Sequence, residues 1–144
     1  MAEITEAELD EIVAASIPWV RDLGLEVEAI GEGTCRARLA YDDRKVRPGG
    51  TVAGPMLVAL ASYAAYVAVL SVAGRVELAA VVNQSANFFK GTAGDVIAEA
   101  RIVNRGKRLV TTETRLLAAD PAPDSPGVLL AQVTATYSLP APKS

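Results

Sequence analysis

The sequence contains no histidine and a single cysteine, Cys35. These two shortages exclude several kinds of chemistry at once. A disulfide framework or a CxxC redox pair needs a second thiol, and an HExxH zinc site or a Ser-His-Asp or Cys-His nucleophile needs an imidazole. The 14 basic and 17 acidic residues are scattered and leave a net charge of -3, so the chain lacks the basic stripe that nucleic-acid binding through counterion release requires. Charge is missing altogether between Arg47 and Arg75. That apolar run is long enough to compete as a membrane span. It is built of alanine and valine, is interrupted by Ser62, Tyr63, Tyr66 and Ser71, and precedes four strand-like segments that need a covering element. It therefore reads as a core helix enclosed by a sheet, with no membrane span. The start, MAEITEAELDE, is acidic where a secretory signal is basic and then apolar, and with the lone thiol it predicts a cytoplasmic protein.

What is present orders itself into one domain over 1–144. Thr5 and Glu8 form a capping box, and Leu9, Ile12, Val13 and Ile17 recur on one face as far as Pro18, predicting a short helix over about 5–17. Residues 24–30 and 34–41 alternate, with Cys35, Ala37, Leu39 and Tyr41 on one side, and GEG between them reads as a hairpin turn. The loop DDRKVRPGGTVA leads into a helix over 54–73, with Pro55 at the first helical position and Gly74 as its stop. Strands follow at 79–90, 95–104, 108–119 and 127–139, joined by the short turns GTAG, RGK and DPAPDSPG, and the tail at 140–144 is expected to fray. Tight turns predict an antiparallel sheet with the long helix on its concave face, an α+β architecture.

The segment RPGGTVAGPMLVALASYAAYVAVL, followed by NQSANFFKGTAGDVIAEARIVNRGKRLVTTETRL, resembles the hotdog-fold thioesterases of the phenylacetic-acid-degradation type. The resemblance runs from about Ile17 to Pro140. It implies a hotdog fold, an antiparallel sheet wrapped around a long central helix, in chains that pair through their sheets and hold acyl-coenzyme A at the interface. A homodimer or homotetramer is implied, with coenzyme A entering only as part of the substrate and neither a metal nor a separate cofactor. It also implies an oxyanion donor, the backbone N–H of a glycine at the helix N-terminus, where unpaired amides and the helix dipole favour negative charge on the thioester oxygen. Gly54 matches that glycine. A carboxylate eight residues further on is implied as general base or nucleophile.

Here that position is Ser62, Ala53 replaces the histidine before the glycine, and no Asp or Glu occurs between Arg44 and Val76. A serine hydroxyl without an imidazole is no base at neutral pH; Ser62 can hold a water or the substrate, or bond its own helix backbone. Elsewhere Asp42, Asp43, Asp95, Glu99 and Glu113 are candidate acids, read respectively as solvated loop for the first two, a turn cap at Asp95, and an exposed strand face at Glu113. Asn83, Ser85 and Asn87 share one face of a strand that the resemblance sets near the acyl pocket, where they contact substrate or form a polar seam between subunits. Lys90, Arg105, Lys107 and Arg108 cluster around turns and suit the phosphates of coenzyme A, or serve only as surface cations. Cys35 reads as a small buried side chain. Two functions stay open: hydrolysis of a small or medium acyl-coenzyme A thioester with altered machinery, or acyl-thioester binding without turnover.

Overall fold

The computed structural model describes residues 2–119 and 127–141. The expected turn over 120–126 and the tail at 142–144 lie outside the described residues. Helix α1, Glu6–Ser16, starts at the expected capping box: the Glu8 N–H donates to Thr5 Oγ1 at 3.1 Å, and the Thr5 N–H returns to Glu8 Oε1 at 3.1 Å. Its Leu9, Ile12 and Val13 are buried. One turn of helix, α2 (Trp19–Asp22), follows Pro18, an element the alternation-based reading passes over because four residues are too few to show a period.

Helix α3 covers Gly54–Ala73 and stops at Gly74, whose φ of 81° suits a residue without Cβ. By length and composition it could cross a membrane, yet 61% of its most apolar window is buried within the protein. Six strands surround it: β1 (Leu25–Gly31), β2 (Thr34–Leu39), β3 (Ala80–Phe88), β4 (Val96–Arg105), β5 (Leu109–Ala118) and β6 (Leu129–Ser138). All pairings are antiparallel, in the order β1-β2-β4-β5-β6-β3. This is the hotdog arrangement.

The order corrects one expectation. GTAG is not a hairpin turn, because β3 and β4 are not neighbours: β3 pairs with β6 at one edge and β4 lies between β2 and β5. The seven residues from Phe89 to Asp95 instead cross the end of the sheet beside the start of α3. They are held there by the Val52 N–H donating to the Thr92 carbonyl at 2.9 Å and by Gly91, where a Cβ would approach the Thr51 side chain to 3.0 Å. Burial explains the placement. Strand β4 is covered on its inner face by the helix, whereas nearly every β3 residue is exposed, so β3 belongs at an edge.

The inner face of the sheet is built from small residues. Across the strands the rows run Ala37–Ala98–Leu116–Ala131 and Cys35–Ala100–Thr114–Val133, and α3 presents Ala61, Ala64, Ala65 and Ala68, all essentially buried. Fully buried Leu60, Leu70 and Leu116 each contribute roughly 1.5–3 kcal/mol of burial. Ser71 is the polar exception on α3: its Oγ donates to the Ala68 carbonyl at 2.6 Å and accepts the Gly33 N–H at 2.8 Å, tying the helix end to the β1–β2 turn. Because small side chains set the helix–sheet spacing, enlarging one should strain the core. Ala64→Leu is expected to lower stability by about 1–3 kcal/mol, while Ala15→Leu, exposed on α1, should stay within about 0.5 kcal/mol. Urea midpoints at constant m-value measure both.

Candidate functional site

The loop before α3 makes two consecutive left-handed residues, Gly49 (φ 106°) and Gly50 (φ 87°), the backbone that the GG pair supplies without steric cost. It is closed by the Arg47 N–H donating to the Thr51 carbonyl at 2.8 Å and the Ala53 N–H donating to the Lys45 carbonyl at 2.9 Å. The chain then enters the helix at Gly54. Nothing in the backbone demands glycine there: its φ is not positive, and a Cβ would meet only the Phe88 ring at an ordinary 3.6 Å. What the missing side chain leaves is access. Among the described residues no acceptor binds the Gly54 N–H, one of the unpaired amides at a helix start, and Gly54 opens onto a cleft of about 340 Å³ with Arg47, Phe88, Phe89 and Lys90 on its walls.

Ser62 lies elsewhere. Eight residues along a helix is an advance of about 12 Å, and Ser62 lines a second depression of about 240 Å³ with Trp19, Tyr63, Tyr66, Glu77 and Tyr137. Its Oγ donates to Gln84 Oε1 on β3 at 2.9 Å, and its carbonyl accepts the Tyr137 hydroxyl at 3.0 Å. The hydroxyl thus bonds across to the edge strand, not back along its own helix. Within a single chain Gly54 and Ser62 do not open into one site. They share an uncovered stripe of α3, running through Val58 and Ala59, but face separate depressions.

Asn83 and Ser85 sit on the other side of β3. Ser85 pairs with Thr134, Thr134 with Glu113 and Glu113 with Arg101; Asn83 pairs with Thr136, which pairs in turn with Thr111. Paired residues share a face, and this one is the polar outer face, where Gln132 Nε2 donates to Glu113 Oε2 at 2.8 Å and Asn87 completes the row. The residues that β3 turns toward α3 are Gln84, Ala86 and Phe88. The parity was readable: with Ala86 and Phe88 inward, Gln84 must follow them, and the three polar residues chosen from the sequence must point away.

The basic residues also separate. Lys90, past the end of β3, belongs to the Gly54 cleft. Arg105, Lys107 and Arg108 lie at the β4–β5 turn, where Arg108 Nε donates to the Leu139 carbonyl at 3.1 Å. That turn neighbours the opposite end of β3, since Leu109 pairs with Ser138 and Ser138 with Ala80.

The proposed acids serve structure. Asp95 is more than a turn cap: it accepts the Tyr41 N–H at 2.7 Å and pairs with Arg38 at 3.1 Å, fastening the chain beyond β2 to the start of β4. Asp42 caps a short 3-10 turn at Asp43–Lys45, and hydrogen bonds from the Arg44 side chain hold its carboxyl well below the usual range. Glu99 and Glu113 are ion-paired to Arg36 and Arg101 on the outer face. Among the described residues, Glu77 is the one carboxylate lining either depression, and it is paired with Arg75. Burial raises the Tyr63, Tyr66 and Tyr137 hydroxyls, so they remain protonated donors.

The thioesterase superfamily model matches residues 49–123, spanning the end of the glycine loop, α3 and strands β3, β4 and β5. No curated protein matches the chain. Among solved structures, one from a Silicibacter species, described as a candidate thioesterase, is 28% identical with a TM-score of 0.82 and covers 98% of this chain and 95% of its own. A thioesterase from Haemophilus influenzae is 22% identical with a TM-score of 0.81, covering 95% and 91%. A variant of the phenylacetic acid degradation protein PaaI from Thermus thermophilus is 24% identical with a TM-score of 0.74, covering 85% and 99%. The last two establish likeness of fold.

Cys35 contributes no nucleophile. It is 3% exposed on the inner face, and burial pushes its thiol up to about 12, so thiolate is scarce at neutral pH. A thiol-specific chromogenic disulfide at pH 8 should leave the folded protein unmodified and react with one thiol per chain in urea; fast reaction without denaturant would show that the thiol is accessible.

Proposed function

Because the chain belongs to the thioesterase superfamily, we propose that it hydrolyses a small or medium acyl-coenzyme A thioester at a site shared by two copies of the chain. The observation that carries this reading is the unpaired Gly54 N–H at the mouth of a cleft flanked by Arg47 and Lys90. An amide at a helix N-terminus, with the helix dipole behind it, favours the negative charge that develops on a thioester oxygen as water adds. Arg47 and Lys90 suit the phosphates of coenzyme A. The substrate brings coenzyme A with it, and the reaction as proposed needs no metal or further cofactor; the cytoplasm, where acyl-coenzyme A is made and used, is the compartment proposed.

The second copy enters through β3. Its outer edge is unpaired in the sheet, and Val82, Phe88 and Phe89 are 59%, 53% and 59% exposed, an apolar open edge of the kind proteins cover. Two such edges joined about a two-fold axis run antiparallel. The Lys90 end of one chain then meets the Ala80 end of the other, and with it the turn carrying Arg105, Lys107 and Arg108, so the basic residues that lie apart in one chain approach one another in the pair. The same pairing supplies a Ser62 depression from one copy beside the Gly54 cleft of the other. Trp19, Tyr63, Tyr66 and Tyr137, four of the chain's seven aromatic residues, wall that depression and suit an apolar acyl group. Asn83 and Ser85, on the outer face, are assigned no substrate contact in this reading.

A second reading, binding without turnover, is favoured by one observation: α3 carries no carboxylate. Release of free thiol from short, medium and aryl acyl-coenzyme A, with binding measured in parallel, separates the two. Turnover is the expected result, and tight binding with no thiol release would establish the binder. Gly54→Pro removes the amide hydrogen at a helix position that tolerates proline and should lower kcat by roughly 100- to 1,000-fold. Ser62→Asp should raise hydrolysis by about tenfold or more, about 1.4 kcal/mol of barrier.

A further inference from the structure

The hydrogen bond between Ser62 and Gln84 has a chemical consequence for the site proposed above, on which this inference rests. The Ser62 hydroxyl donates a hydrogen bond to Gln84 Oε1 at 2.9 Å. The serine oxygen is left with its lone pairs, and the two amide hydrogens of Gln84 Nε2 have no acceptor among the described residues. Both groups lie where α3 is uncovered, Ser62 half-buried and Gln84 exposed on the edge strand. Side by side they offer an acceptor and donors, the pattern that holds a water molecule. Neither can take a proton from it. The Ser62 backbone is itself fixed, since the Tyr137 hydroxyl bonds its carbonyl at 3.0 Å.

We infer that Gln84 is the positioning residue of the hydrolytic site: it fixes the Ser62 hydroxyl, and the pair holds the attacking oxygen without deprotonating it, so hydrolysis draws on hydroxide from solvent. The step balances without a protein base. Hydroxide held by the pair adds to the thioester carbonyl carbon, the resulting oxyanion rests on the Gly54 N–H of the other copy, the C–S bond breaks, and the thiolate leaves and takes a proton from water. The carboxylic acid gives its own proton to solvent. Glu77, paired with Arg75 on the rim of the same depression, is the one competitor for the role of base among the described residues there.

The pH dependence of kcat/KM for thiol release decides between them. A site with no titrating base gives a rate that climbs about tenfold per pH unit from about pH 6 to 9 without a plateau. Gln84→Glu keeps the shape of the side chain and sets a carboxylate beside Ser62; its rate should level off above the carboxylate pKa and exceed the native rate at neutral pH by about tenfold or more. Gln84→Leu should lower kcat by about tenfold while KM changes less than about threefold, as expected for a group that acts at the chemical step. Dimer content and circular dichroism are followed for each variant, and Gln84→Glu stands alone if the leucine variant fails to assemble. A native plateau below about pH 8, removed by Glu77→Gln, would overturn the inference in favour of a carboxylate base. Native turnover indifferent to both Gln84 substitutions would overturn it while leaving the hydrolase reading intact. Absence of thiol release from native and Gln84→Glu protein alike would remove the hydrolase reading and the inference with it.

Discussion

Close approach of α3 to the sheet depends on small side chains on both surfaces: Ala61, Ala64, Ala65 and Ala68 on the helix, Ala37, Ala98, Ala100 and Ala131 on the strands. A helix held this near a curled sheet has no room for a solvated charge on its buried faces, which accounts for the absence of charge at the buried positions of α3. It also has few ways to move. The C-terminal end is tied through Ser71 to the β1–β2 turn, the middle through the Tyr137 hydroxyl to the Ser62 carbonyl, and the N-terminal end through Val52 to the crossing segment at Thr92. The Gly54 amide therefore stands on a rigid element, which the proposed role of oxyanion donor requires.

The elements of this fold were legible because each rests on local physics. A capping box, a glycine stop and period-two alternation are properties of neighbouring residues, and α1, α3 and the six strands all lie within a few residues of their expected positions. The strand order was not legible from turn length. Seven residues between β3 and β4 are enough for a hairpin and enough for a crossing, and only the burial of β4 and the exposure of β3 decide between them. Tyr41 makes a related point: alternation assigns it to the buried side with Leu39, but β2 ends before it, and Asp95 captures its N–H and leaves the ring 39% exposed.

Sequence reading was less informative for the site, for a physical reason. Depressions are made by residues distant in the chain, and which face a strand residue occupies depends on one register. Choosing Asn83 and Ser85 for their polarity selected the outer face, where polar residues are expected anyway; the informative residue was Gln84, a polar side chain among inward-facing Ala86 and Phe88. Likewise Lys90 and the Arg105–Arg108 turn look like one basic cluster only when distance along the sheet is ignored. Glu77 passes unnoticed in sequence because it follows the helix instead of occupying it.

Position 62 poses a steric question. It is half-buried on the uncovered stripe of α3, beside an exposed strand, with a polar partner already in reach. A carboxylate would fit there and could accept a hydrogen bond from the Gln84 amide, so packing does not explain why serine is present. Nor does helix formation, since serine and aspartate are comparably mediocre in a helix interior. What distinguishes the two is charge. A carboxylate would bring a base and a repulsion toward anionic ligands, whereas a serine bonded to a carboxamide adds no charge beside four aromatic walls. Ser62 bonded to Gln84 thus offers hydrogen bonds without a base, and in the proposed reading turnover draws on that pair together with the free amide of Gly54.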